Sequence, residues 1–168
     1  PGISFKKSVF AVFNANNVIL SRDLELYSRL INNQKIIAVT GTNGKSTTVK
    51  LIGDMINNNG LDCFVGGNLG PPLLEFANNN ILSNYHVIEL SSFQLEAAPS
   101  FKSNISILLN ISEDHLDRYS SIREYAQTKE KIIQKNDNSF SIISLDDSFC
   151  KEIYNNKNRK KNIIPIST

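Results

Sequence analysis

The sequence predicts an α/β fold, a mostly parallel sheet flanked by helices. Two observations carry that expectation. Short apolar, β-branched runs alternate along the chain with segments of helical periodicity, and such alternation lays parallel strands beneath covering helices. One of those runs ends in a glycine-rich turn that opens directly into a helix, an arrangement suited to holding phosphate.

Residues 1–22 precede the alternation and read as the tail of an earlier domain, with the sheet domain running from 23 to 168. Lys35–Thr40 is the first strand, and helical periodicity follows from Gly44 to Asn57. Cys63–Val65 is a short strand that ends in Gly66-Gly67. Tyr85–Leu90 and Ile105–Ile111 are apolar enough to be central strands, buried on both faces. Ser121–Gln134 is an amphipathic helix opened by a Ser121/Glu124 capping box. Phe140–Leu145 is a strand, Ser148–Tyr154 a short helix, and Asn162–Ile166 a further strand. The triplets Asn57–Asn59 and Asn78–Asn80 fall where helices should stop. The chain opens Pro1-Gly2-Ile3, and its single methionine, Met55, lies inside a predicted helix, so both ends read as cuts through a longer protein.

The bulk numbers narrow the class. With 40% hydrophobic and 20% charged residues in 168, the chain has the balance of one soluble globular domain. A net charge of +2 is too small to argue for nucleic acid or an anionic membrane surface, and the Lys157/Arg159/Lys160/Lys161 cluster reads as a solvated loop. Cys63 and Cys150 lie far apart, outside any metal-ligand spacing, and read as free buried thiols of a reducing compartment. No apolar run approaches the ~20 residues that span a bilayer, and no signal peptide is visible, so the expected compartment is the cytoplasm, without membrane insertion.

The chemistry begins where Lys35–Thr40 runs into Gly41-Thr42-Asn43-Gly44-Lys45-Ser46-Thr47-Thr48. Glycines let the backbone curl until successive N–H groups point at phosphate oxygens, and the helix N-terminus adds partial positive charge. Lys45 can reach the β- and γ-phosphates, and the Ser46 hydroxyl can hold Mg²⁺. The loop is shorter than the common G-x-x-x-x-G-K-[ST], which would want glycine where this chain has Val39.

Other candidates sit at strand ends. Glu89 closes an apolar strand, where it either faces solvent or serves as a hard oxygen ligand for Mg²⁺. His115 follows the strand Ile105–Ile111 and is either a site residue or merely exposed, whereas His86 is mid-strand and reads as structural. Lys129 falls in the i+7 slot of the stripe Ile122, Tyr125, Ala126, Ile132, Ile133. Periodicity favours a side chain that snorkels past the stripe. The alternative is a desolvated, neutral amine able to react with CO₂ to give a carbamate.

Together, Gly41–Thr47, Gly66-Gly67-Asn68-Leu69-Gly70, Glu89-Leu90-Ser91-Ser92-Phe93-Gln94-Leu95-Glu96 and Asp114-His115-Leu116-Asp117-Arg118 resemble the Mur ligases, with the second and third segments closest to the branch that adds D-glutamate. Pro1-Gly2-Ile3 resembles the end of that family's uridine-nucleotide domain. The resemblance implies three domains, of which this chain would hold the end of the first and most of the central one. It implies ATP, two Mg²⁺ ions, and the substrates UDP-N-acetylmuramoyl-L-alanine and D-glutamate, in a monomer when full length. It implies nucleotide contacts from Gly41, Thr42, Asn43, Gly44, Lys45, Ser46, Thr47 and Thr48. Ser46 and Glu89 would hold one metal ion and His115 a second. Lys129 would be a carbamylated lysine and through it a further metal ligand, and Gly2, Asn68, Gln94 and His115 would face substrate. A folylpolyglutamate synthase shares the loop, but the segment Glu89–Glu96 speaks against it. A nucleotide-hydrolysing switch would be marked by turnover without substrate, and the chain alone would be an ATP-binding module.

Overall fold

The three apolar central runs alternate their side chains between two buried faces. In Lys35–Thr40 (β1), Tyr85–Glu89 (β3) and Ile105–Leu108 (β4), Ala38, Ile88 and Leu108 join one core, whereas Val39, Val87 and Ile107 join the other. Cys63–Gly67 (β2), Phe140–Ser144 (β5) and Ile163–Ile166 (β6) complete a six-stranded sheet in the order β2-β3-β1-β4-β5-β6, every pairing parallel. This computed structural model describes residues 8–16, 20–78, 83–133, 138–157 and 162–167.

The strand order places the candidate site. After β3 on one side of β1, the chain crosses to β4 on the other, so the direction of winding reverses at the carboxyl end of β1. A crevice opens at such a reversal. Glu89 ends one neighbour of β1, and Asn110 follows closely after the other.

The helices are Ala11–Ala15 (α1), Asp23–Leu30 (α2), Lys45–Asn58 (α3), Glu75–Asn78 (α4), Ser92–Glu96 (α5), Ile122–Glu130 (α6) and Ser148–Lys157 (α7), with a 3-10 turn at Ser8–Phe10. Val49 of α3 is buried on one core face, with Ile52 and Ile56 partly buried beside it, and full burial of such a side chain contributes on the order of 2 kcal/mol. Asn59 caps the end of α3, as the first asparagine triplet predicted.

Several boundaries differ from expectation, for visible reasons. β4 ends at Leu108, short of Ile111, because Asn110 turns to the phosphate loop and the Ile111 N–H goes to Asp147 Oδ2 at 3.0 Å. α6 ends at Glu130, and Lys131, Ile132 and Ile133 each bond three residues back, a tight finish that buries both isoleucines. Only half of the Ser121 capping box forms: Ser121 Oγ accepts from Glu124 N, but the Glu124 carboxylate takes the N–H of Ser120 at 2.8 Å. Cys63 is half-buried, unlike the fully buried Cys150; the two thiols are free. Of the readings on sequence, Pro1-Gly2-Ile3, Asn79-Asn80, Gln134 and the basic residues Arg159–Lys161 lie outside the described residues. Among the described residues, no helix is long and apolar enough to cross a membrane.

α2, α4 and α5 have no counterpart among the elements expected from sequence. α2 buries Leu24 and Tyr27, and its buried Glu25 accepts from Arg29 and, at 3.1 Å, from the N–H of Ser100. The Tyr27 hydroxyl meets Nδ1 of His86 at 2.8 Å, inside a nest of Phe64 and Phe76. The reading of His86 as structural holds. Burial pushes its pKa below the usual 6.5, partly offset by the Ser83 backbone. Between that depressed value and 6.5 the unfolded chain binds the extra proton, so stability must fall as pH drops below about 6.5. A denaturation midpoint that declines between pH 7 and 5, and declines less in His86→Asn, is the expected result; identical slopes would contradict it.

Candidate functional site

The loop after β1 is built by its glycine and by its neighbours. Gly44 sits at φ 80°, in the left-handed region, and α3 starts at Lys45 without a side-chain cap. The first turn of a helix leaves N–H groups unpaired within it, and a phosphate placed there would receive them. Thr48 Oγ donates back to Gly44 O at 2.9 Å. Lys45 folds over the loop, its Nζ 3.0 Å from Gly41 O and 2.8 Å from Thr42 O. Thr47 is exposed on the same first turn.

Two oxygens meet beside this helix start. Ser46 Oγ donates to Glu89 Oε2 at 2.7 Å, and Asn68 Nδ2 donates to Glu89 Oε1 at 2.9 Å. Glu89 is buried, 1% exposed, so the solvent-facing alternative is excluded. A buried carboxylate held by two neutral donors is short of positive charge. Hydroxyl plus carboxylate is the kind of hard-oxygen pair Mg²⁺ takes beside phosphate, so these residues fit that ion. Among the described residues, no three His, Cys, Asp or Glu side chains gather as a self-sufficient metal cage.

Gly67 makes the Asn68–Glu89 approach possible. It adopts φ 122°, its N–H bonds Pro71 O at 2.9 Å, and Asn68 N bonds Glu89 O at 2.9 Å. A Cβ at Gly67 would collide with the carbonyl oxygen of Glu89. Gly67→Ala is therefore expected to lower stability by at least ~2 kcal/mol, read from the denaturation midpoint. An unchanged midpoint would contradict this account of the turn.

Lys129 corrects the snorkelling expectation. It is 1% exposed, with Nζ 2.7 Å from Gly41 O and 3.4 Å from Thr40 Oγ, and 4.7 Å from the centre of the Tyr125 ring. The residue snorkels only if an apolar stripe is all that lies before it; here the loop carbonyl of Gly41, 88 residues away in sequence, accepts its amine. Burial first, and then the nearby Lys45 ammonium, lower its pKa to about 7. Lys45 and Lys129 bond the same carbonyl, Gly41 O, which favours a neutral amine on the buried one.

His115 occupies a turn of its own. It takes φ 53°, its carbonyl accepts from Arg118 N and Tyr119 N, and its N–H goes to Asp114 Oδ1 at 2.8 Å. Its ring lies 4.8 Å from Phe93 and 6.2 Å from Tyr125, with its side chain about 42% exposed. Arg118 stacks on the Phe93 ring at 4.0 Å and pairs with Glu96 at 2.6 Å. The polar contacts of His115 stay within this turn, so the structure groups Lys45, Ser46, Asn68, Glu89 and Lys129 but leaves His115 beside them. Gln94 is buried: its Oε1 accepts from Ser91 N at 3.0 Å, and its Nε2 donates to Asp23 at 2.9 Å. Gly2 is outside the described residues.

Some contributors escape a reading of the sequence. Asn110 bonds the loop three times through its side chain, and Thr42 Oγ lies 3.4 Å from the Tyr125 hydroxyl, which burial keeps protonated by raising its pKa to about 12. Asp23 anchors Gln94 from α2. The Ser91/Gln94 pair is a capping box legible as S-x-x-Q, and that signal locates α5.

A parallel sheet with a glycine loop at its winding reversal, backed by a buried carboxylate and a buried lysine, narrows the field to proteins that grip phosphate. The chain belongs to the Mur ligase family, whose middle domain matches residues 39–168. Among its relatives is UDP-N-acetylmuramoylalanine–D-glutamate ligase of Rickettsia prowazekii (strain Madrid E), 39% identical over 99% of this chain and 38% of that protein. The protein of the same name from Citrifermentans bemidjiense is 44% identical over 74% of this chain and 28% of its own length. The chain thus spans only 28% to 38% of the length of these curated relatives. Among solved structures, a UDP-N-acetylmuramoyl-L-alanyl-D-glutamate–2,6-diaminopimelate ligase aligns with a TM-score of 0.64 at 22% identity, over 94% of this chain and 34% of that one. The folylpolyglutamate synthetase of Helicobacter pylori aligns with a TM-score of 0.55 at 17% identity, over 95% of this chain and 47% of that one. These two likenesses concern the fold alone.

Proposed function

We propose that this chain is the ATP-binding middle of an amide ligase that joins D-glutamate to UDP-N-acetylmuramoyl-L-alanine, in the synthesis of peptidoglycan precursors. The observation that carries the reading is the meeting of Lys45, Ser46, Glu89 and Lys129 around one helix start, in a chain whose curated relatives bear that ligase's name. Residues 1–22 would be the tail of the uridine-nucleotide domain and 23–168 the central domain. Free thiols fit a reducing cytoplasm. Full length, we expect a monomer.

In the proposed reaction the L-alanyl carboxylate attacks the γ-phosphorus of ATP, giving an acyl phosphate and releasing ADP. The D-glutamate amine then attacks the activated carbonyl, forms the amide and expels phosphate. The chain's part is positioning and charge neutralisation. Lys45 would leave the carbonyls of Gly41 and Thr42 to grip the phosphates, and the N–H groups opening α3 would receive their oxygens. Ser46 and Glu89 would hold one Mg²⁺, and His115 a second. Lys129, its amine unprotonated in substantial fraction near pH 7, is suited to carry CO₂ as a carbamate and present an anion in place of a cation. Bound Mg²⁺ supplies neutralisation of the charge that keeps carboxylate and triphosphate apart. Asn68 and Gln94 would serve the substrate side, Asn68 through Glu89 and Gln94 by fixing α5 against α2.

Mass spectrometry of the product tests this reading. The full-length protein with ATP, Mg²⁺ and UDP-N-acetylmuramoyl-L-alanine should yield the glutamyl amide with D-glutamate and none with L-glutamate. Addition of L-glutamate to a folate instead would move the chain to the folylpolyglutamate branch.

A further inference from the structure

We propose that Asn110 is a positioning residue, whose side-chain amide stands in for the peptide units missing from this shortened phosphate loop. The inference rests on reading Gly41–Thr48 as the nucleotide loop. Val39 cannot belong to that loop: it is fully buried in β1 and paired with Glu89 on one side and Ile107 on the other. Only Thr42 and Asn43 therefore separate the two glycines, where the longer loop has four residues. So short a span has few backbone groups with which to hold its own curve.

Asn110 supplies them from just beyond the carboxyl end of β4. Its Oδ1 accepts from Thr42 N at 3.1 Å and from Asn43 N at 2.8 Å, while its Nδ2 donates to Asn43 O at 3.1 Å. Backbone N–H groups only donate and a carbonyl only accepts, so the partners themselves fix which way the amide points. A side-chain amide offering one carbonyl and one N–H in this way reproduces a peptide unit. The Asn110 carbonyl also accepts from Thr42 N at 2.9 Å, and the Ser112 N–H reaches Thr42 Oγ at 3.0 Å. Residues 110–112 thus run alongside Thr42–Asn43 as a splint. With Thr42 N and Asn43 N already committed, the N–H groups that open α3 are left to the triphosphate. His115 lies three residues beyond the splint, so the position of the loop and the position of that turn are set together.

Two replacements separate positioning from packing. Asn110→Ala removes all three side-chain bonds. Asn110→Asp keeps the shape and both acceptances, but sets an oxygen against the Asn43 carbonyl and a negative charge beside the phosphates. In the full-length protein, calorimetric titration with Mg·ATP should show both variants binding at least about tenfold more weakly, with affinity for UDP-N-acetylmuramoyl-L-alanine unchanged. Either variant binding ATP like the wild type would overturn the proposal. So would a variant that loses both ligands alike, since that marks a merely structural role. A wild-type protein that binds UDP-N-acetylmuramoyl-L-alanine but not ATP would overturn the loop reading itself, which separates the two failures.

Discussion

Replacing Lys45 by alanine is expected to abolish turnover in the full-length enzyme, lowering kcat by more than about a hundredfold. The side chain donates to Gly41 O and Thr42 O in the loop, so its removal withdraws a cation from the loop without withdrawing a support from the core. Fold and melting temperature should therefore persist while phosphoryl transfer fails. Initial rates and thermal melts of the same preparation check both halves. Retained activity in a folded Lys45→Ala protein would remove the phosphate-loop reading, and with it the assignment of Ser46 and Glu89.

The second large effect belongs to Lys129. Lys129→Ala is expected to lose turnover and to regain part of it with short carboxylic acids such as formate or acetate. The alanine opens a space beside Gly41 O and the Tyr125 ring, and a small carboxylate placed there offers the anion that a carbamate would have supplied. The amine titrates near pH 7 because it is buried and close to Lys45, so an unprotonated fraction is present under ordinary conditions for CO₂ to capture. Wild-type enzyme should be indifferent to the added acids. Failure of every short acid to rescue would count against the carbamate and leave Lys129 as a brace for the loop.

How much is legible in the sequence depends on the range of the interaction. β1, the loop and α3 can be read because glycine, lysine and serine act through local geometry, and the structure bounds that strand at Lys35–Thr40 as expected. Lys129 is legible as a position and not as a state. Its place in the stripe of α6 follows from helical spacing, but the carbonyl that holds its amine lies 88 residues earlier in the chain. Asn110 escapes for the same reason. An asparagine ending a strand suggests a turn, and only the fold shows that the turn closes on Thr42 and Asn43. α2 lacks a capping signal: its N-cap is Arg22, with no capping side-chain bond, so only acidic residues in its first turn and the Glu25–Arg29 pair mark it locally, and packing of Leu24 and Tyr27 carries it. Gln94 shows both ranges at once: its bond to Ser91, three residues away, is legible as S-x-x-Q, whereas its bond to Asp23, 71 residues away, is visible only in the fold.

The most direct test of the whole account is phosphate release by the full-length protein given ATP, Mg²⁺ and UDP-N-acetylmuramoyl-L-alanine, with and without D-glutamate. Release that requires both substrates, and that L-glutamate does not support, is the predicted result. Release at the same rate with the amino acid left out would contradict the ligase and leave only an ATP-hydrolysing core.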